Sequence, residues 1–260
     1  ALNNFKQHHK ITTTITPGGK PFDFPTFAVD SLPWLIHSIK VSKFHYDPFK
    51  DLLNKQIHLF YKKVINPNTG LVRPEVHFSS IKDFAIRKSS CYDNCMAALL
   101  AKDLKGMRLD NPFVNISYPE LIKRHFWNGE YFYDDLTAQK YVAGDANLFP
   151  FALGIITDDE MLRSAVRKIQ QEGLDQPFPL KYTSSRSKVN FIWQETFLRN
   201  YESDAVWMHI GPLYVKLLQQ IDKDKARLYK EKYRSIIEEH KNFMEVFDSK
   251  GRPFSTPFYH

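Results

Sequence analysis

Apolar positions along this chain recur at spacings of three and four, the period of a helix with one buried face, and the segments that show this come in pairs. Trp34, Leu35, Ile36, Ile39 and Val41 predict a first helix beginning near Ala28, with Asp30 or Ser31 as its cap and Pro33 in its first turn. Asp47-Pro48 opens a second, carried by Leu52, Leu53, Ile57, Leu59, Phe60 and Val64 and ended by the turn Asn66-Pro67-Asn68-Thr69-Gly70. A third is expected from Ser90 to about Leu104 and a fourth from Tyr118 to Phe126, stopped by Trp127-Asn128-Gly129. Residues 130–144 read as a short hairpin. Asp145 is placed as the cap of a helix through Leu153 that contains Pro150, and Asp158-Asp159-Glu160 opens one to about Gln171, with Gly173 after it. A loop of some thirty residues follows, of the length that in compact domains is usually functional or disordered. Ser203 or Asp204 is expected to cap a helix through Leu218, and Asp222 or Asp224 to start the last, reaching Phe247. Residues 1–27 have little period and read as an extended N-terminal segment of one or two strands and a loop.

The helix ends repeat. Ile65-Asn66…Gly70, Phe126-Trp127-Asn128-Gly129 and Phe247-Asp248-Ser249-Lys250-Gly251 share a recipe, and their glycines lie 59 and 122 residues apart. A unit of about 60 residues, helix, turn, helix and longer loop, is therefore expected four times, over 28–65, 90–127, 145–172 and 203–247. The first helix of each pair has few charges and the second is charged on one face, so the first helices belong inside and the second outside. The reading is an all-α, (α/α)6-like toroid of helical hairpins over 28–260, four of them visible. Its loops gather at the N-termini of the inner helices with Trp34, Tyr92, Trp127, Tyr131, Asn147 and Trp207, and with Asp30, Asp93, Glu130, Asp145 and Asp204. An open solenoid of the same hairpins would instead offer a groove for a peptide or RNA.

Composition narrows the classes. The 260 residues suffice for one large core or two small ones. Aromatics make up 15%, which suits both a core and stacking on sugar rings. The net charge of +7 raises nucleic acid as a partner. Its Lys and Arg are dispersed among 29 acidic residues, however, the pattern of a solvated face, so no nucleic-acid partner is expected. Cys91 and Cys95, four apart on one helix, are too few for a disulfide scaffold and read as reduced packing residues. The histidines, His77, His209 and His260 among them, lack zinc spacing, and there is no Gly-rich phosphate loop, so no metal and no cofactor is expected. No apolar run approaches the roughly 18 residues of a membrane span and no signal pattern opens the chain, which points by default to the cytoplasm.

The stretch Arg87-Lys88-Ser89-Ser90-Cys91-Tyr92-Asp93-Asn94 places a carboxylate in the first turn of an apolar helix, among its unpaired N–H groups. Taken alone, it reads first as a helix capped by Ser89 or Ser90 with Asp93 in its first turn. It resembles the Ser-Gly-(Trp/Leu/Met)-Asp-Asn stretch that carries the general acid in six-hairpin glycosidases, in particular their glucosidase, trehalase and archaeal debranching-like branches. Trp127-Asn128-Gly129-Glu130-Tyr131-Phe132-Tyr133-Asp134 is similar to their turn after an outer helix. Trp207-Met208-His209-Ile210-Gly211-Pro212 resembles their Trp-Arg-Gly-Pro inner helix, with His209 where Arg is usual, and Gly144-Asp145-Ala146-Asn147-Leu148-Phe149-Pro150 looks like another inner helix. Cys91 and Cys95 also depart from the family pattern. A toroid of this kind needs six hairpins. Either the chain is a fragment, its catalytic base lying beyond residue 260, or an oligomer or shortened ring closes the gap.

The resemblance implies a carbohydrate substrate and hydrolysis of α-linked glucosides or oligosaccharides. One protonated carboxyl protonates the leaving oxygen and a carboxylate activates water; inverting enzymes set the two roughly 6.5–9.5 Å apart. Asp93 is the expected acid, with Glu195 of the long loop or Glu130 as base. Trp34, Tyr92, Trp127 and Trp207 are placed to stack on sugar, and Arg87, Asp145, Asn147 and His209 to bind it, against the plainer readings of core aromatics, structural ion pair and helix cap. The competing class is a non-catalytic helical-repeat module binding glycan or protein. A sugar epimerase on the same toroid would need paired histidines, which the scattered His residues do not supply.

Overall fold

The computed structural model describes residues 1–23 and 26–257; His260 lies outside the described residues. Nine α-helices are described: α1 (Leu2–His8), α2 (Ser31–Val41), α3 (Lys50–Val64), α4 (Cys91–Leu104), α5 (Tyr118–Phe126), α6 (Gly144–Ala152), α7 (Asp159–Gln171), α8 (Gly211–Ile221) and α9 (Lys223–His240). Four two-residue strands, β1 (Thr14–Ile15), β2 (Pro21–Phe22), β3 (Val206–Trp207) and β4 (Val246–Phe247), form two antiparallel pairs, β1 with β2 and β3 with β4. The chain divides into two compact units, one of residues 1–83 and 87–125, the other of 84–86 and 126–260.

The four expected hairpins are α2/α3, α4/α5, α6/α7 and α8/α9. In the first unit α2 packs on α4, and in the second α6 packs on α8, so first helices contact one another within each unit. Burial follows the apolar pattern. Lys102 is the one residue of α4 that is not buried, and Gly144 through Phe151 of α6 are buried. In α9 only Ala226, Tyr229, Tyr233 and Ile236 are buried, a single stripe at three and four. α7 likewise buries Met161, Leu162, Ala165, Val166 and Ile169.

The turn that follows a second helix is built the same way three times. After α3, Asn66 N–H donates to Leu71 O and Arg73 N–H to Val64 O; after α5, Asn128 N–H donates to Tyr131 O and Tyr133 N–H to Phe126 O; near the C-terminus, Asp248 N–H donates to Arg252 O and Phe254 N–H to Val246 O. At each turn the Asn or Asp side-chain oxygen accepts from main-chain N–H groups two to four residues on: Asn68, then Glu130 and Tyr131, then Lys250 and Arg252. Gly70, Gly129 and Gly251 have φ of 77°, 103° and 82°, the left-handed region that glycine enters without a Cβ penalty.

Three expectations change. Residues 2–8 are helical rather than extended; their one buried side chain is Phe5, too little to leave a period in the sequence. Residues 203–210 do not begin a helix. Val206 and Trp207 pair as a strand with Phe247 and Val246, and α8 starts only at Gly211, where Pro212 suits the first turn. The last helix accordingly stops at His240, and Lys241 adopts a left-handed conformation. Asp145 lies inside α6 rather than capping it, because Ala143 occupies the cap position. The start of α6 is fixed instead by Gly144, whose N–H donates to Tyr182 O at 2.8 Å and where any Cβ would collide with Lys181 O.

Candidate functional site

In the first unit the N-terminus of α4 is built as its sequence predicts. Ser90 Oγ accepts from Asp93 N–H at 3.0 Å, capping the helix. Asn94 is turned inward: its Oδ1 accepts from Val72 N–H at 3.0 Å and its Nδ2 donates to Ser89 Oγ and to Ser90 O. With those two side chains holding the backbone, Tyr92 and Asp93 occupy fixed places in a buried first turn.

The N-terminus of α2 meets it. Tyr92 Oη donates to Asp30 Oδ2 at 3.1 Å and accepts from Trp34 Nε1 at 3.3 Å. Asp30 stands at the cap position of α2 but makes no side-chain capping bond. Its carboxyl is pushed up to about 7, first by burial and next by the negative charge of Asp93; Asp83 adds to this, and the hydrogen bond from Tyr92 works against it. Arg87 is buried nearby in the chain, its Nη2 donating to Ser80 Oγ at 2.8 Å. Trp34, Tyr92, Asp93 and Asp30 therefore form one corner. The sequence had Asp30 only as a cap and a rim carboxylate, and its link to Tyr92 spans 62 residues.

In the second unit the candidates fall into separate arrangements. Trp207 is buried with its Nε1 donating to Tyr201 O at 2.8 Å, and its ring meets those of Tyr201, Tyr182 and His209 at 4.5, 5.3 and 5.3 Å. His209 has its pKa lowered by the protein packed about it, an effect Glu245 opposes. Asn147 is buried and spent on the backbone, accepting from Phe132 N–H at 2.7 Å and donating to Phe132 O and Ala143 O. Asp145 is fully buried in the first turn of α6, and Asp134, Asp135 and Asp145 together hold the Tyr141 hydroxyl above its ordinary pKa, after burial as the main cause. Trp127 packs against Phe132 at 4.9 Å. Glu130 is exposed and paired with Lys168 at 2.8 Å. Glu195 is fully buried, gripped by Arg186 Nη2 at 2.5 Å and Nε at 3.2 Å on one oxygen, while the other accepts from Asn200 N–H at 3.0 Å.

Among the described residues, no group of three or more His, Cys, Asp or Glu side chains is arranged to hold a metal ion, and no helix is long and apolar enough to cross a membrane. Cys91 and Cys95 are buried free thiols.

No protein-family model matches the chain, and no curated protein matches it in sequence. Among solved structures it is similar to a rhamnosidase from Klebsiella oxytoca with rhamnose bound, with a TM-score of 0.60 at 12% identity, over 100% of this chain and 50% of that one. The chain thus spans half the length of that structure. The likeness shows the fold, which is of the all-α, helical-hairpin toroid class.

Proposed function

We propose that this chain is the catalytic-type domain of a glycoside hydrolase acting on α-linked glucosides or related oligosaccharides, by acid/base and inverting hydrolysis, with Asp93 as the acid. The observation that carries this reading is the corner itself: Asp93 sits in the capped first turn of the most buried helix, next in sequence to Tyr92, whose hydroxyl joins Trp34 to the Asp30 carboxyl. A general acid must keep its proton near working pH, and burial disfavours the charged form of a carboxyl. The likeness in fold to a rhamnosidase supports a carbohydrate substrate in general. Trp34 offers a partly exposed aromatic ring at the edge of the corner, and Trp207 with Tyr201 and His209 offers an aromatic wall in the second unit. For the base, Glu130 is paired with Lys168 and Glu195 with Arg186, and Glu195 has its oxygens committed to Arg186 and Asn200.

That engagement of both base candidates favours a second reading, a non-catalytic module that binds carbohydrate or protein through the same aromatic surfaces. The two are separated by assaying the purified chain on trehalose, α-glucosides and α-rhamnosides, with Asp93→Asn beside it. Turnover that falls about 100-fold or more in the variant supports the acid role, since positioned proton transfer is worth roughly 10²–10⁴ in rate. Turnover insensitive to the change removes Asp93 as acid, and sugar binding without turnover favours the module.

A further inference from the structure

The first unit holds a cleft that shares no residue with the α2–α4 corner. It is a cavity of about 470 Å³, inside the range of roughly 300–1,000 Å³ that small-molecule sites occupy. One wall is a face of α5, where Ser117, just before the helix, is followed at helical spacing by Glu120, Leu121 and Arg124. The other is the turn after α3, with Asn68, Thr69 and Gly70, and Tyr61 of α3 beside it. The two walls meet at the base: Gly70 has φ of 77°, and a Cβ there would lie 3.1 Å from Leu121 Cδ1 and 3.2 Å from Ile116 Cγ2. Gly70 N–H donates to Asn66 O and Asn66 N–H to Leu71 O, both at 2.8 Å, so the turn is closed before anything binds. Tyr61 is held as well, its ring against that of Phe113 at 5.3 Å.

The polar side chains of the cleft are unspent. Glu120 and Arg124 stand in the order and spacing that closes an ion pair on a helix, yet neither is paired, with the other or with any described residue. Nor do the side-chain amides of Asn68 and Asn115 or the hydroxyls of Ser117 and Tyr61 make a hydrogen bond among the described residues. One carboxylate and one guanidinium leave the cleft without net charge, so an anion would meet Glu120 and a cation would meet Arg124. A neutral ligand whose groups both donate and accept satisfies the two together, and a hydroxyl does both. Tyr61, Ile116 and Leu121 add apolar surface, the complement of the C–H face of a sugar ring. We propose that this cleft is a second carbohydrate-binding site, taking a neutral mono- or disaccharide with its hydroxyls on Glu120 and Arg124 and a ring face on Tyr61. The inference goes beyond the catalytic reading of the corner and does not rest on it.

The test is a titration of the intact ¹⁵N-labelled chain with trehalose, methyl α-glucoside and methyl α-rhamnoside, read from amide shifts by NMR. Saturating shifts at Thr69, Gly70, Ser117 and Leu121 are expected with at least one of the three at millimolar concentration. Glu120→Ala and Arg124→Ala, both at exposed positions of α5, should each weaken binding about 10-fold, since each removes hydrogen bonds to a charged group. The same shifts should persist in Asp93→Asn; their loss there would assign them to the corner and overturn the site. Cleft binding in a chain that hydrolyses nothing overturns the glycosidase reading alone, and turnover without cleft shifts overturns this proposal alone. No saturable shift at these positions with any of the three sugars, or shifts that neither α5 variant weakens, overturns it as well. So does a cleft that responds to inorganic phosphate or free glycine and not to sugar.

Discussion

Two carboxyls in this molecule are withdrawn from water in opposite ways. Glu195, in the 3-10 turn Trp193–Leu198, is wholly buried but met by the fork of Arg186 and a main-chain N–H of Asn200. Asp30 has neutral donors, the Tyr92 hydroxyl and a main-chain N–H, and is acted on by the charges of Asp93 and Asp83. A buried charge that is paired and hydrogen-bonded stays ionised and holds structure; one set among like charges keeps its proton. Burial by itself therefore says little about chemistry, and what surrounds the carboxyl decides whether it anchors a loop or stores a proton.

The comparison can be broken at either end. The largest effect is expected from Asp93→Asn, which should lower turnover of a substrate with a poor leaving group by about 100-fold or more, equivalent to roughly 2.7 kcal/mol or above in the barrier. Steady-state kinetics on an oligosaccharide check it. Glu195→Ala comes next. It leaves Arg186 without its carboxylate, and removing one partner of a buried pair costs about 3–5 kcal/mol; with Arg186 partly exposed, about 2–3 kcal/mol is expected, read as a lower urea midpoint.

The third test is the dependence of stability on pH. Asp30 titrates at about 7 in the folded chain against an ordinary value of 3.8, so the folded state binds that proton more tightly. Its stabilising share is fully present below pH 3.8 and is lost as pH rises to 7 and through it. The displacement of about three pH units corresponds to at most about 4 kcal/mol, and roughly half that is expected once contact with water is allowed for. Unfolding curves at pH 5 and pH 8 should differ less in Asp30→Asn than in wild type. The smallest effect belongs to Tyr92→Phe, about 1 kcal/mol at pH 5 for one hydrogen bond, measured by thermal unfolding.

Local signals in the sequence were read well where the physics is local. Ser90, Asp158 and Asp222 cap helices because a short oxygen side chain reaches the N–H three residues on, and all three do so. Helix α5 has the boundaries its period predicts, and the recurring Asn or Asp and Gly mark the turns. Strand β3 was missed because Val206 and Trp207 are extended by partners 40 residues away, and a two-residue strand has no period of its own. For the same reason the Ser90 cap was legible from its neighbours and the bond from Tyr92 to Asp30 was not, since nothing within ten residues of Asp30 announces Tyr92. Glu195 was expected as a base in the long loop, but its clamp comes from Arg186, nine residues back, which no local pattern singles out.

The hydrogen-bond chain at the α2–α4 corner also makes the molecule its own indicator dye. The indole of Trp34 lies two hydrogen bonds from the carboxyl of Asp30, with only the Tyr92 hydroxyl between. Ionising Asp30 draws the tyrosine proton toward it and leaves a more basic oxygen for the indole N–H. In a chain whose Trp127, Trp193 and Trp207 are replaced by phenylalanine, the emission of Trp34 should therefore follow the charge of Asp30, reporting its titration as a colour and intensity change with no label attached.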